Sequence, residues 1–164
     1  MEINLEERVE HARNLFRQGY NCSQSVFLTY SGLFSLDPQL AATIAGPLGG
    51  GMGRLREVCG TVSGMSLVAG FLSPCADPSV RKAKGETYAL VQRFAEAFRA
   101  ENGSIVCREL LGLTCRKEEP TPAERTAEYY RKRPCVELVA CAARIVGEYL
   151  QQLDEIPASA PAAQ

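Results

Sequence analysis

The chain has a single histidine, His11, and that scarcity removes several chemistries at once. A cysteine–histidine hydrolase needs an imidazole beside its nucleophile, and His11 sits in a polar stretch with no partner motif. It reads as a surface or boundary residue. No Cys-x-x-Cys pair is present either, which excludes a thioredoxin-like motif, covalent haem attachment and the short knuckles of most structural zinc sites. The 18 lysines and arginines balance 19 acidic residues and form no basic stripe, so nucleic acid is not an expected partner. No apolar run approaches the roughly 18 residues of a membrane span. The acidic start, Met1 to Glu7, lacks the basic region and apolar core of a signal peptide, and a cytoplasmic location is expected. Alternating apolar and polar residues are missing over any useful length, as are internal repeats, so the expected regular structure is helical.

With 164 residues, 46% of them apolar and 23% charged, the chain suits one globular domain with a tail. Helical spacing of apolar residues predicts helices over about 4–18, 22–34, 38–45, 58–72, 78–101 and 135–153, with a short polar one over 123–133. Asn4, Asn21 and Asp37 stand where N-caps belong, and Asp77-Pro78 reads as the start of the longest helix. The segment at 58–72 is apolar nearly all round, which marks a central, buried helix. The expectation is an all-α fold, a compact single-domain bundle of about five to seven helices over 1–154. A low-complexity, disordered tail should follow over 155–164.

The stretch Gly49-Gly50-Gly51-Met52-Gly53 specifies a shaped loop rather than a regular element, because glycine admits positive φ and close backbone approach. It fits neither a Walker phosphate loop nor a dinucleotide fingerprint, and no strand precedes it. Cys59 follows, with Gly60 and Gly64 one helical turn apart behind it. That spacing clears one helix face, so that something can lie against the backbone. Arg54 and Glu57 are near enough in sequence to tune Cys59, although a solvated role is the plainer reading of both.

Seven cysteines stand at 22, 59, 75, 107, 115, 135 and 141. In a reducing compartment this number favours metal binding or redox chemistry over a disulfide framework. Cys22, Cys59, Cys107 and Cys135 each fall in the first turn of a predicted helix, where unpaired N–H groups and the helix dipole stabilise a thiolate. Cys75 lies in a break, Cys115 in a charged surface loop over 114–122, and Cys141 off the core stripe of the last helix. The cysteines thus sort into four and three, and the four are the candidate site.

Four stretches carry a resemblance over about residues 8–150. They are Gly19-Tyr20-Asn21-Cys22; the glycine run with Glu57-Val58-Cys59-Gly60-Thr61-Val62-Ser63-Gly64; Cys107-Arg108-Glu109-Leu110-Leu111-Gly112; and Cys135-Val136-Glu137-Leu138-Val139. In type and order they resemble the C_GCAxxG_C_C family of redox-active bacterial and archaeal proteins. That family is named for four spaced cysteines and a Cys-Gly-Ala-x-x-Gly motif. The resemblance implies a redox function, functional cysteines at 22, 59, 107 and 135, and the family's glycines at Gly60 and Gly64. It also implies a prokaryotic source. Thr61 stands where the family has alanine, and its hydroxyl can add a hydrogen bond near Cys59.

Three chemistries fit this set. Cys22, Cys59, Cys107 and Cys135 can ligate an iron–sulfur cluster, with Gly50 and Gly51 letting backbone N–H groups reach the sulfides and Gly60 and Gly64 beside the cofactor. Alternatively, low-pKa cysteines cycle as one or two disulfides without a cofactor. The third is a structural zinc module held by the same four thiolates. An oxidoreductase or an electron-transfer accessory protein would work with a redox partner protein. Monomer and homo-oligomer both remain open.

Overall fold

In the computed structural model, residues 2–114 and 117–153 are described. The expected tail over 155–164 and the placement of Cys115 lie outside the described residues. The first helices begin where side chains cap them. Asn4 accepts a hydrogen bond from the Glu7 N–H and opens α1 (Leu5–Arg17). Asn21 opens α2 (Cys22–Ser31) through a reciprocal capping box with Gln24, and one 3-10 turn (Gly32–Phe34) completes the predicted 22–34 segment. Asp37 accepts from the Leu40 N–H, and Pro38 begins α3 (Pro38–Ala45). Such caps each stabilise a helix by about 1 kcal/mol because they satisfy N–H groups with no partner inside the helix.

The remaining helices are α4 (Gly60–Leu72), α5 (Arg81–Asn102), the single turn α6 (Cys107–Leu110), α7 (Ala127–Lys132) and α8 (Cys135–Gln151). The described residues thus form eight α-helices, six of them at least seven residues long, and no strand. The all-α expectation holds. Helix α5 starts three residues later than predicted. The Asp77 carboxylate accepts from both the Ser79 N–H and its hydroxyl, which makes a separate turn, and Val80 is left exposed instead of joining the inner face. Ser104 accepts from the Val106 N–H, and Cys107 is the first helical residue of α6.

Helix α4 is central, as its all-round apolar pattern predicts. It packs on α2, α5 and α8, while α1 lies along α8. Val62, Met65, Val68, Ala69 and Leu72 are buried. Full burial of the larger of these side chains stabilises the fold by roughly 1.5–3 kcal/mol each. Tyr30 is fully buried and donates its hydroxyl to the Ala143 carbonyl at 2.6 Å, which ties α2 to α8. Two side chains then tie α2 to the next segment: Gln24 donates to the Ala42 carbonyl at 3.0 Å and Asn21 to the Gly46 carbonyl at 2.8 Å. The effect is to set the start of α2, and with it Cys22, against the glycine run. No helix is long and apolar enough to cross a membrane among the described residues.

Candidate functional site

The glycine run folds into one left-handed turn. Gly50, Gly51, Met52 and Gly53 all have φ between +57° and +67°, and the Gly53 N–H closes the turn on the Gly49 carbonyl at 2.7 Å. The expected irregular loop is thus a short regular element of the opposite hand. L-residues avoid that hand at roughly 1–2 kcal/mol each, which is why glycine dominates it. Gly51 is needed for space as well, since a Cβ there would lie 2.7 Å from the Cys107 Cβ.

Downstream of the turn the chain runs antiparallel to residues 105–108. Val58 and Val106 form an isolated β-bridge, the Cys59 N–H donates to the Ile105 carbonyl at 2.8 Å, and the Cys107 N–H donates to the Glu57 carbonyl at 2.6 Å. This clip sets Cys59, the N-cap of α4, beside Cys107, the first residue of α6. Cys22 begins α2 and Cys135 begins α8. All four cysteines line one cavity of about 380 Å³. The structure brings together the four that the sequence singled out. Cys75 and Cys141 do not line the cavity, and Cys141 instead meets Asn102, Glu101 and Arg144.

Within the four, the acidities of Cys22 and Cys59 depend on each other. The neighbouring Cys59 thiol is the largest cause that pulls the Cys22 thiol down to about 6. Burial opposes it, and the backbone N–H groups of Gly50, Ser23 and Cys22 itself reinforce it. At pH 7 a thiol of that acidity is about nine-tenths thiolate, against a few per cent for an ordinary cysteine. Cys59 is driven the other way, well above the ordinary thiol range. The neighbouring Cys22 sulfur is the first cause, followed by burial and the negative charge on Cys22. The Thr61 hydroxyl, 3.0 Å from the Cys59 sulfur, opposes this rise. One sulfur therefore carries the charge and its neighbour keeps the proton.

Gly60 shows why the residue after Cys59 is glycine. A Cβ there would lie 2.5 Å from the Cys22 sulfur and 3.0 Å from the Leu48 carbonyl. At Gly64 a Cβ would lie 2.9 Å from the Ser23 carbonyl and from the Val26 Cβ. The helix face that these two glycines clear is occupied by α2 and its leading thiol. Gly50, another of the glycines proposed for cofactor contact, helps through its backbone to lower the Cys22 thiol.

Cys107 and Cys135 are both raised, and the charge on Cys22 contributes to each. Burial pushes the Cys135 thiol up to about 12, with the charges of Cys22 and Cys107 adding to the rise. Cys107 is raised as well, mainly by burial, and the nearby Arg56 guanidinium, 3.5 Å from its sulfur, resists this. Arg56 is itself buried, in a left-handed conformation. Sequence proximity had singled out Arg54 and Glu57 beside Cys59. In the fold Glu57 pairs with Arg108 at 2.7 Å, and Arg54 pairs with Glu118. It is Arg56 that reaches a cysteine, and the cysteine is Cys107.

The cavity also holds residues that sequence reasoning passed over. Arg125 and Arg133 line it, together with Tyr129. Arg125 stacks 4.1 Å over the Phe16 ring and 5.0 Å over the Tyr129 ring, and it donates to the Phe16 and Tyr20 carbonyls. The tyrosine four residues after Arg125 was the available signal, but the segment read as a solvated polar helix. Among the described residues, no three histidine, cysteine, aspartate or glutamate side chains form a group that could hold a metal ion.

A family profile described as "Putative redox-active protein (C_GCAxxG_C_C)" matches residues 20–149, which takes in all four cavity cysteines and leaves out α1. No curated protein and no solved structure gives a significant match. With four-fifths of its length matched and the four cysteines gathered around one cavity, the chain belongs to the C_GCAxxG_C_C family of redox-active proteins.

Proposed function

We propose that this protein is a thiol–disulfide redox protein in which Cys22 is the attacking thiolate and Cys59 the resolving thiol. The carrying observation is that Cys22, the first residue of α2, packs its sulfur against Gly60, directly after Cys59 at the cap of α4, with the acidities of the two thiols displaced in opposite directions. Thiolate, not thiol, attacks a disulfide, and Cys22 supplies it near neutral pH. While Cys22 is charged, that charge adds to burial in holding the proton on Cys59. Once Cys22 is tied up in a mixed disulfide, that charge is gone, the Cys59 proton becomes easier to remove, and its sulfur attacks Cys22. The two acidities thus order the two steps. A redox partner protein or small thiol would return the pair to its reduced state.

The alternative in which Cys22, Cys59, Cys107 and Cys135 ligate an iron–sulfur cluster or zinc needs all four sulfurs to close on one centre. The present arrangement supports the pair instead. Anaerobic purification with metal and sulfide analysis tests this, alongside a thiol count and disulfide mapping before and after mild oxidation. The expected result is loss of two thiols and a Cys22–Cys59 cross-linked peptide, restored to thiols by dithiothreitol. Iron and sulfide retained by the wild type and lost in Cys59→Ser would overturn the proposal in favour of the cluster. Tightly held zinc without redox change would point to the structural site.

A further inference from the structure

Apart from the Cys22 thiolate, the charged groups of the cavity wall are cationic. Arg54, Arg56, Arg125 and Arg133 line it, and among the described residues no aspartate or glutamate does. Glu118, which is not part of the wall, engages Arg54 and also Arg56 at 2.8 Å. Arg125 and Arg133 form no ion pair among the described residues, and their recorded contacts are aromatic rings and, for Arg125, backbone carbonyls. Arg56 is 5% exposed, and its Nε has no hydrogen-bond partner among the described residues. Cationic groups gathered around a partly apolar hollow, with Phe16 and Leu138 in the same wall, form a receptor for an anion with a hydrocarbon body. A volume of about 380 Å³ lies within the size range of small-molecule sites, roughly 300–1,000 Å³, and is too small for a folded partner.

We propose that the substrate is a small disulfide bearing carboxylate groups, its carboxylates held by Arg125 and Arg133 and its sulfur–sulfur bond presented to Cys22. This rests on the redox-pair reading above. Arginine suits the task because its planar fork can meet a carboxylate with two parallel hydrogen bonds. In the first step the Cys22 thiolate attacks one sulfur of the disulfide. The substrate's sulfur–sulfur bond breaks, a Cys22 mixed disulfide forms, and one small thiolate leaves. In the second, Cys59 loses its proton to solvent and its sulfur attacks the Cys22 sulfur, releasing the second small thiolate. Two cysteines are oxidised to one disulfide, and one small disulfide is reduced to two thiols.

The test uses the reduced full chain in single turnover with three aliphatic disulfides: 3,3′-dithiodipropionate (dianionic), bis(2-hydroxyethyl) disulfide (neutral) and cystamine (cationic). Each rate is normalised to that of the same disulfide with a free small thiol. The dianion is expected to lead the neutral compound by about tenfold or more, as one or two charge-assisted hydrogen bonds imply. Added salt should erode the lead. Arg133→Gln should remove most of that preference, read as the ratio of dianion to neutral rates within the same variant. Because Arg125 also anchors the loop to the Phe16 and Tyr20 carbonyls, Arg133→Gln is the primary variant and Arg125→Lys the second. Equal normalised rates for all three compounds, each with a Cys22–Cys59 disulfide as product, would overturn the substrate class and leave the redox pair standing. Absence of that disulfide with every compound would instead remove the pair itself. Slowing of the dianion by inorganic phosphate but not by propionate would overturn carboxylate recognition in favour of an oxyanion site.

Discussion

Gly64 and Gly70 lie in the same helix, and alanine at the two positions should act in opposite directions. At Gly64 the added Cβ would meet the Ser23 carbonyl oxygen and the Val26 Cβ, both at 2.9 Å. Carbon contacts prefer about 3.5–4.0 Å, so α2 and α4 must part by roughly 0.6–1 Å, because neither atom belongs to a side-chain end that can swing away. Overpacking of this kind costs about 1–3 kcal/mol, against a gain of about 1 kcal/mol from alanine's helix propensity. At Gly70 nothing lies within 4 Å and φ is ordinary, so the same propensity acts alone. Gly64→Ala should therefore be less stable than wild type by about 1 kcal/mol and Gly70→Ala more stable by a similar amount. In urea under reducing conditions, with unchanged m-values, the two midpoints should differ by roughly 1 M. The readout also reaches the site, since α2 carries Cys22 and Cys59 caps α4. Parting the helices should raise the pH midpoint of Cys22 alkylation above about 6, whereas Gly70→Ala leaves it in place. Equal stability of the two variants would refute the packing argument.

Cys59→Ala removes the largest cause of the low Cys22 acidity, so its alkylation midpoint, read by peptide mass spectrometry, should rise from about 6 by about 1–2 units. An unmoved midpoint would show that the backbone donors suffice. Thr61→Val keeps the shape and deletes the hydroxyl 3.0 Å from the Cys59 sulfur. The resolving thiol should then be harder to ionise, and a Cys22 mixed disulfide should persist about two- to tenfold longer. A lifetime equal to wild type would assign Thr61 to packing alone. Stability should depend on pH through Cys22. Its folded pKa of about 6 lies below the unfolded value of roughly 8.5, so the folded state binds fewer protons. The contribution is complete above the unfolded value and fades as pH falls to about 6. The urea midpoint of reduced wild type relative to Cys22→Ser should accordingly climb between pH 6 and 8.5, and a flat difference would contradict the thiolate assignment.

The helices and the four-cysteine set were legible in the linear order of residues because their causes are local. Caps such as Asn21 with Gln24 act within three residues, and apolar periodicity acts within two turns. The same locality places Cys22 and Cys135 at helix starts, where periodicity and cap residues had put them. Local cues misjudged the start of α5, where the Asp77 side chain satisfies Ser79 instead of the helix. They also did not indicate the hand of the turn at Gly50 to Gly53, since glycine permits both signs of φ and the choice falls to what surrounds it. Which sulfur bears the charge, which arginine meets Cys107 and where Arg125 and Arg133 point depend on contacts between residues dozens of positions apart. The pairing of 57–59 with 105–107 and the seating of α2 on Gly60 and Gly64 exist only once the core has packed. The sequence by itself determined the helical class and singled out the four cysteines that share a cavity. The tertiary structure alone decided that they face one arginine-lined cavity, because burial and hydrogen bonding between distant segments are what separate the acidities of otherwise identical thiols.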